Sequence, residues 1–134
     1  MFIRSSEHAT ETRCVLLVHG NDLFREALAL LLEWQTSFKE SIQARSLEEA
    51  HRALANGEER TNLVIVDLDH LPKPGGRDLL SDLADSLGVP VLGLTSGRNP
   101  GVRARALETG VSEVLSTAGS AEKIVAAARR LGEG

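Results

Sequence analysis

The apolar positions of this chain fall into short unbroken runs separated by stretches of helical spacing. Asn62-Leu63-Val64-Ile65-Val66-Asp67 is the sharpest run, four branched aliphatics bounded by polar residues and closed by a carboxylate. It predicts a strand buried on both faces, as in the middle of a parallel sheet. Cys14-Val15-Leu16-Leu17-Val18 has the same character and stops at His19-Gly20-Asn21-Asp22, so it belongs beside the first run in the sheet interior. Val89 to Leu94, closed by Thr95-Ser96-Gly97, predicts another buried strand, and Val111 to Leu115 a short one. Phe38 to Ala44 alternates only weakly, with Phe38, Ile42 and Ala44 set against Glu40 and Gln43, which suits a strand nearer the sheet edge.

Between these runs the period changes. From Leu23 to about Trp34, Leu23, Ala27, Leu30, Leu31 and Trp34 recur at helical spacing, predicting a helix with that face inward and Asn21 or Asp22 as its cap. Ser46-Leu47-Glu48-Glu49 is a capping box and opens a second helix that ends near Gly57. A loop rich in breakers, Leu68 to Gly76, precedes a third helix from about Arg77 to Ser86. Asn99 as cap, Pro100 at the first helical position and Gly110 as a left-handed stop bracket a fourth. Ser120 begins the last, whose inward face is Ile124, Val125, Ala128 and Leu131, with Arg129 and Arg130 at its negative end. Five strands alternating with five helices across short loops imply an α/β fold: one parallel sheet, right-handed crossovers, helices on both faces. In such a sheet the C-terminal strand ends gather ligands and chemistry, which puts Asp67 at the functional rim.

Composition narrows the function classes. The 134 residues, 42% hydrophobic and 25% charged, suit one domain over 13–132 behind a loose tail at 1–12. A net charge of -4, no Tyr and a lone Trp34 disfavour a nucleic-acid binder, although Arg98, Arg103, Arg105, Lys123, Arg129 and Arg130 make the second half locally basic. The single Cys14 excludes an internal disulfide and any CxxC metal spacing, and reads as a small buried hydrophobe. Residues 1–12 contain no long apolar run, so neither a signal peptide nor a membrane anchor is expected, and a cytoplasmic protein is. No phosphate-binding glycine loop follows the first strand and no nucleophile elbow is present, so an enzyme of this fold is not expected.

In this order the motifs resemble the receiver domain of two-component response regulators. Val15-Leu16-Leu17-Val18 followed by Leu23-Phe24-Arg25-Glu26-Ala27-Leu28 is similar to the start of receivers joined to LuxR-type or NarL-type helix-turn-helix outputs. Leu63 to Asp67 resembles the strand bearing the phosphoacceptor, Leu92-Gly93-Leu94-Thr95-Ser96 the strand bearing the switch hydroxyl, and Ala106-Leu107-Glu108-Thr109-Gly110-Val111 the segment before strand five. The resemblance runs from about Cys14 to Leu131 and implies a flavodoxin-like (βα)5 doubly wound fold. It also implies Asp67 as the phosphoacceptor and Thr95 as the hydroxyl that moves onto the phosphoryl group. An acidic pair holding Mg2+ after strand one, and a lysine after strand five, complete the family's site.

The match departs at those last positions. The acidic pair falls on His19 and Gly20, and the lysine falls on Thr117. The family's proline lies four residues past the phosphoacceptor, whereas Pro72 lies five past Asp67, as if one residue were inserted. A carboxylate without a divalent cation and lysine lacks the main electrostatic stabilisation of phosphoryl transfer. No metal is therefore expected, with Asp67 and Asp69 the weak candidates, joined in one arrangement by His19. The better expectation for His19 is a hydrogen-bonded loop residue, and for His70 and Lys73 solvated loop positions.

Two readings follow. One is an atypical pseudo-receiver, a phosphorylation-independent module for protein interaction or dimerisation through helix four, strand five and helix five. The other is a working receiver, phosphorylated on Asp67 by a histidine kinase with Mg2+, regulating a DNA-binding output that lies outside these residues. Loss of the acidic pair favours the first.

Overall fold

A computed structural model describes residues 12–56, 61–71 and 79–133. Ten elements alternate along them: β1 (Arg13–Val18), α1 (Asp22–Gln35), β2 (Phe38–Ala44), α2 (Leu47–Asn56), β3 (Leu63–Asp67), α3 (Leu79–Leu87), β4 (Val91–Thr95), α4 (Val102–Glu108), β5 (Glu113–Ser116) and α5 (Ala121–Gly132). The strands form one sheet in the order β2-β1-β3-β4-β5, every neighbouring pair parallel. This is the doubly wound architecture that the alternation of runs predicts.

Successive residues of each strand point to opposite sides, so the continuous apolar runs feed two cores. Leu16, Val18, Val64 and Val66 pack beneath α2, α3 and α4 with Leu47, Ala50, Leu80, Leu83 and Ala106. Val15, Leu17, Leu63 and Ile65 pack on the other side with Leu28 and Leu32 of α1 and Ile124, Val125 and Ala128 of α5. The edge strand β2 is mostly exposed between its two buried ends, in line with its weak alternation.

Several local expectations are corrected. Four of the five positions expected on the apolar face of the first helix point outward: Leu23 and Trp34 are each 78% exposed, Leu30 is 54% exposed, and Ala27 is exposed too. The residues turned to the sheet are Arg25, Leu28 and Leu32, with Phe24, Ala29 and Leu31 half-buried. Leucines and alanines surround this helix, so periodicity supports two phases. Polar partners at the strand ends draw Arg25 inward and fix the other one. Asn21 is the cap, its Oδ1 accepting the Phe24 amide at 2.9 Å.

At α2, the Ser46 hydroxyl accepts the Glu49 amide at 3.1 Å, but the Glu49 carboxylate reaches back to the Arg45 amide at 2.8 Å, one residue earlier than an ideal box. At α4 the cap is Gly101, not Asn99, because the Asn99 side chain closes a turn on the Gly101 amide at 3.2 Å and the helix starts only at Val102. Gly110 does take the left-handed conformation at φ 103°. Ser120 caps α5 without a side-chain bond. β3 and β4 run to Asp67 and Thr95, and β5 is shifted to Glu113–Ser116. Helix three begins at Leu79 among the described residues, and the spacing of Pro72 and Gly76 and the position of Lys73 lie outside them.

Candidate functional site

Parallel strands bring their C-terminal ends to one rim, so His19 after β1, Asp67 ending β3, Thr95 ending β4 and Thr117 after β5 share it. The residue after Asp67 fixes it there. Leu68 is buried, its amide donates to the Leu94 carbonyl at 2.8 Å, and its side chain fills the space over Gly93, where a Cβ would lie 2.5 Å from Leu68 Cδ1. The glycine is thus a packing requirement: it lets Leu68 lock the β3 end against β4.

Asp67 is the hub of a short network. Its Oδ1 accepts the Asp69 amide at 2.9 Å, and its Oδ2 lies 2.7 Å from Nδ1 of His70, forming an ion pair when the imidazole is protonated. That bond and the carboxylate's charge hold the His70 pKa above its ordinary value. The imidazole on Asp67 is thus His70 and not His19. His19 turns away: its Nδ1 accepts the Asn21 amide at 3.0 Å and its ring lies against Phe24 with centroids 4.5 Å apart. Burial lowers the His19 pKa against the pull of Asp67, with His70 and Arg25 adding to the lowering. His19 is the hydrogen-bonded loop residue the sequence suggests.

Asp69 faces the other way. Its Oδ1 accepts the Thr95 hydroxyl at 2.7 Å and its Oδ2 the Ser96 amide at 2.8 Å. Although partial burial opposes it, these bonds hold its carboxyl below the ordinary carboxylate value. The Thr95 hydroxyl in turn accepts the Gly97 amide at 3.1 Å, and its carbonyl accepts the Thr117 amide at 2.9 Å, joining β4 to β5. Thr117, the position that the resemblance matches to a lysine, supplies this amide.

Beneath the β1 end sits a residue that patterning did not single out. Arg25 is 7% exposed, and its guanidinium donates to the His19 carbonyl at 2.6 Å, Gln43 Oε1 at 3.0 Å and Asp22 Oδ1 at 2.8 Å. Arg45 reaches the same Asp22 carboxylate at 3.3 Å. A buried cation therefore lies against the carbonyl of His19, one of the two positions that the resemblance matches to an acidic pair. The signal in the sequence was the one basic residue of the helix, set among its leucines and alanines.

Between β1, β3 and the start of α2 lies an open cleft of about 310 Å³, lined by His19, Gly20, Arg45, Glu48, Asp67 and His70. The donors there do not fit a hard divalent cation, which wants several oxygens. One Asp67 oxygen is taken by His70 and the other by an amide, Asp69 is turned to β4, Gly20 offers no side chain and His19 offers nitrogen, so Glu48 at the start of α2 is the only other carboxylate lining the cleft. Among the described residues no group of three or more His, Cys, Asp or Glu is disposed to hold a metal.

The family model of the response regulator receiver domain matches residues 15–129. The chain belongs to that family. Solved structures agree in fold: a response regulator receiver domain protein from Clostridium thermocellum at TM-score 0.74 and 21% identity, covering 90% of this chain and 94% of that one. A LuxR-family DNA-binding response regulator from Staphylococcus aureus superposes at TM-score 0.74 and 20% identity, covering 90% and 98%. A LuxR-family two-component response regulator from Aurantimonas sp. SI85-9A1 does so at 0.75 and 24%, covering 92% and 86%. No curated protein matches the sequence. This receiver domain thus has the family's fold, with Asp67 ending its third strand and His19, Gly20 and Thr117 after its first and fifth. None of its described helices is long and apolar enough to cross a membrane.

Proposed function

We propose that this two-component receiver domain is a phosphorylation-independent protein-recognition module, a pseudo-receiver. The observation that carries the reading is the occupation of Asp67: both its oxygens are engaged within its own loop, and the β1 end offers His19 and Gly20 over a buried arginine. Phosphoryl transfer to a carboxylate asks the protein for positioning and for neutralisation of the equatorial oxygens. Here Asp67 supplies a nucleophile in position. The family's neutralising groups find no match at the described strand ends, where Thr117 stands for the lysine and His19 and Gly20 for the two carboxylates, and the only basic side chains lining the described cleft beside Asp67 are His19, His70 and Arg45. The domain binds no Mg2+ at this rim.

Recognition then falls to the face of α4, β5 and α5, which presents Arg103, Leu107 and Lys123 to solvent beside the Arg130–Glu113 ion pair at 2.6 Å. The partner is a protein, a second receiver or a downstream target. The phosphoacceptor alternative is favoured by one feature, the placement of Asp67 and Thr95 on adjacent strand ends. In it the Asp67 carboxylate attacks the phosphorus of a kinase phosphohistidine, and the imidazole leaves.

Incubation of the full chain with acetyl phosphate and Mg2+ followed by intact mass measurement separates the two. The pseudo-receiver gives no adduct in the wild type. One phosphoryl group on the wild type, absent from Asp67→Asn, establishes the alternative.

A further inference from the structure

Asp69 lies in the loop two residues past Asp67, and its side chain reaches across to the next strand. The residue is exposed, yet its carboxylate is held to the protein on both oxygens. Its backbone amide is donated to Asp67 Oδ1, which fixes the loop, and its side chain spans to the end of β4. There one carboxylate oxygen takes a hydroxyl and the other takes the next backbone amide, a two-point clasp on Thr95 and Ser96. Charge-assisted bonds of this kind are short and strong, and both distances are below 2.9 Å. Thr95 is buried, and its hydroxyl both donates to Asp69 and accepts from Gly97.

A carboxylate and a phosphoryl group present the same thing to such donors, a pair of anionic oxygens that only accept. Thr95 and Ser96 therefore already have, within the unmodified chain, the anion that a phosphorylated Asp67 would bring them. The consequence runs outward through the backbone, since Thr95 O accepts the Thr117 amide at 2.9 Å and Ser96 opens the connection to α4. We propose that Asp69 is a built-in substitute for the phosphoryl group, clasping Thr95 and Ser96 so that the α4–β5–α5 face is held permanently in one state. This inference deepens the pseudo-receiver reading and rests on it. It adds a reason for indifference to phosphate, because a second carboxylate beside Asp67 repels an incoming phosphoryl dianion.

The clasp is tested without phosphate, on the full chain, by amide hydrogen exchange and by the side-chain rotamer of Thr95 in solution NMR. In the wild type the Ser96 amide is protected and Thr95 occupies one rotamer. In Asp69→Ala, Ser96 exchange accelerates by about tenfold or more, the factor a charge-assisted bond carries. Thr95 then averages over rotamers, and resonances of Leu107, Glu113 and Lys123 move while those of β2 stay. Thr95→Val, which leaves the carboxylate in place, moves the α4–β5–α5 resonances in the same direction, and Asp69→Asn gives an intermediate effect. Circular dichroism confirms that each variant is folded. Equal Ser96 exchange in wild type and Asp69→Ala, a Thr95 that already averages in the wild type, or shifts confined to residues 67–71 and 95–98 would overturn the clasp. A wild-type chain that accepts a phosphoryl group while Ser96 stays protected supports the clasp and overturns the pseudo-receiver reading instead.

Discussion

Replacing Arg25 with methionine isolates the cation under the β1 end, because the unbranched side chain keeps the packing of the arginine stem while removing every donor. Two of the bonds lost, to the His19 carbonyl at 2.6 Å and to Gln43 Oε1 at 3.0 Å, run from a charged donor to a neutral acceptor. At the roughly 1 kcal/mol net that a hydrogen bond contributes once the desolvation of its partners is included, they sum to about 2 kcal/mol. The Asp22 bond lies at the solvent edge and is left out. The expected loss is about 2 kcal/mol, which for a domain of this size lowers the melting temperature by roughly 5–10 °C. Urea unfolding by far-UV circular dichroism measures it, and Trp34 is too exposed to serve as the sole probe. Asp22→Asn, which spares the two inner bonds, gives the smaller loss. Arg25 also lowers the His19 pKa, so Arg25→Met raises it, read by imidazole NMR titration. A neutral Arg25→Met, or an Asp22→Asn loss as large as that of Arg25→Met, refutes the assignment of Arg25 as the anchor of the β1 end.

Three further outcomes follow from the same geometry. Gly93→Ala drives a Cβ into Leu68 and costs about 1–3 kcal/mol by chemical denaturation, whereas a neutral result means Leu68 does not brace the Asp67 strand end. Leu32→Ala costs about 2–5 kcal/mol and Trp34→Ala under about 0.5, and the reverse order would restore the helix phase that periodicity alone suggests. The His70 pKa is raised in the folded chain, so its pairing with Asp67 stabilises fully below 6.5 and is lost as pH rises through the folded value. Because His70 is exposed, solvent screening limits the effect to under about 0.5 kcal/mol, seen as a pH slope just above 6.5 that vanishes in His70→Ala.

What could be read from the chain alone was what depends on local period. Runs such as Leu63 to Val66 are too apolar to be anything but central strands, so the sheet, its crossovers and the position of Asp67 at the rim followed from them. The phase of α1 did not follow, because a helix apolar on several sides is oriented by its few polar contacts, and those of Arg25 lie on β1 and β2, distant in sequence. The same limit hid the partners within the site. By sequence position His19 and His70 are equally plausible neighbours of Asp67, and only the turn after β3 selects His70. Asp69 was legible as a carboxylate near the rim but not as a ligand of Thr95, since that pairing depends on the register of β3 against β4. The family resemblance carried the roles of Asp67 and Thr95. The departures at His19, Gly20 and Thr117 were visible by position, and the buried guanidinium in their place was not.

The central claim is that Asp67 stands without the electrostatic support that phosphoryl chemistry needs. Crystals of the full chain soaked with beryllofluoride and Mg2+ put it to the most direct trial. The account predicts a rim as in the untreated protein, with His70 still on Asp67 and Asp69 still on Thr95. Density for a beryllofluoride adduct on Asp67 with a coordinated Mg2+ beside it would contradict the account.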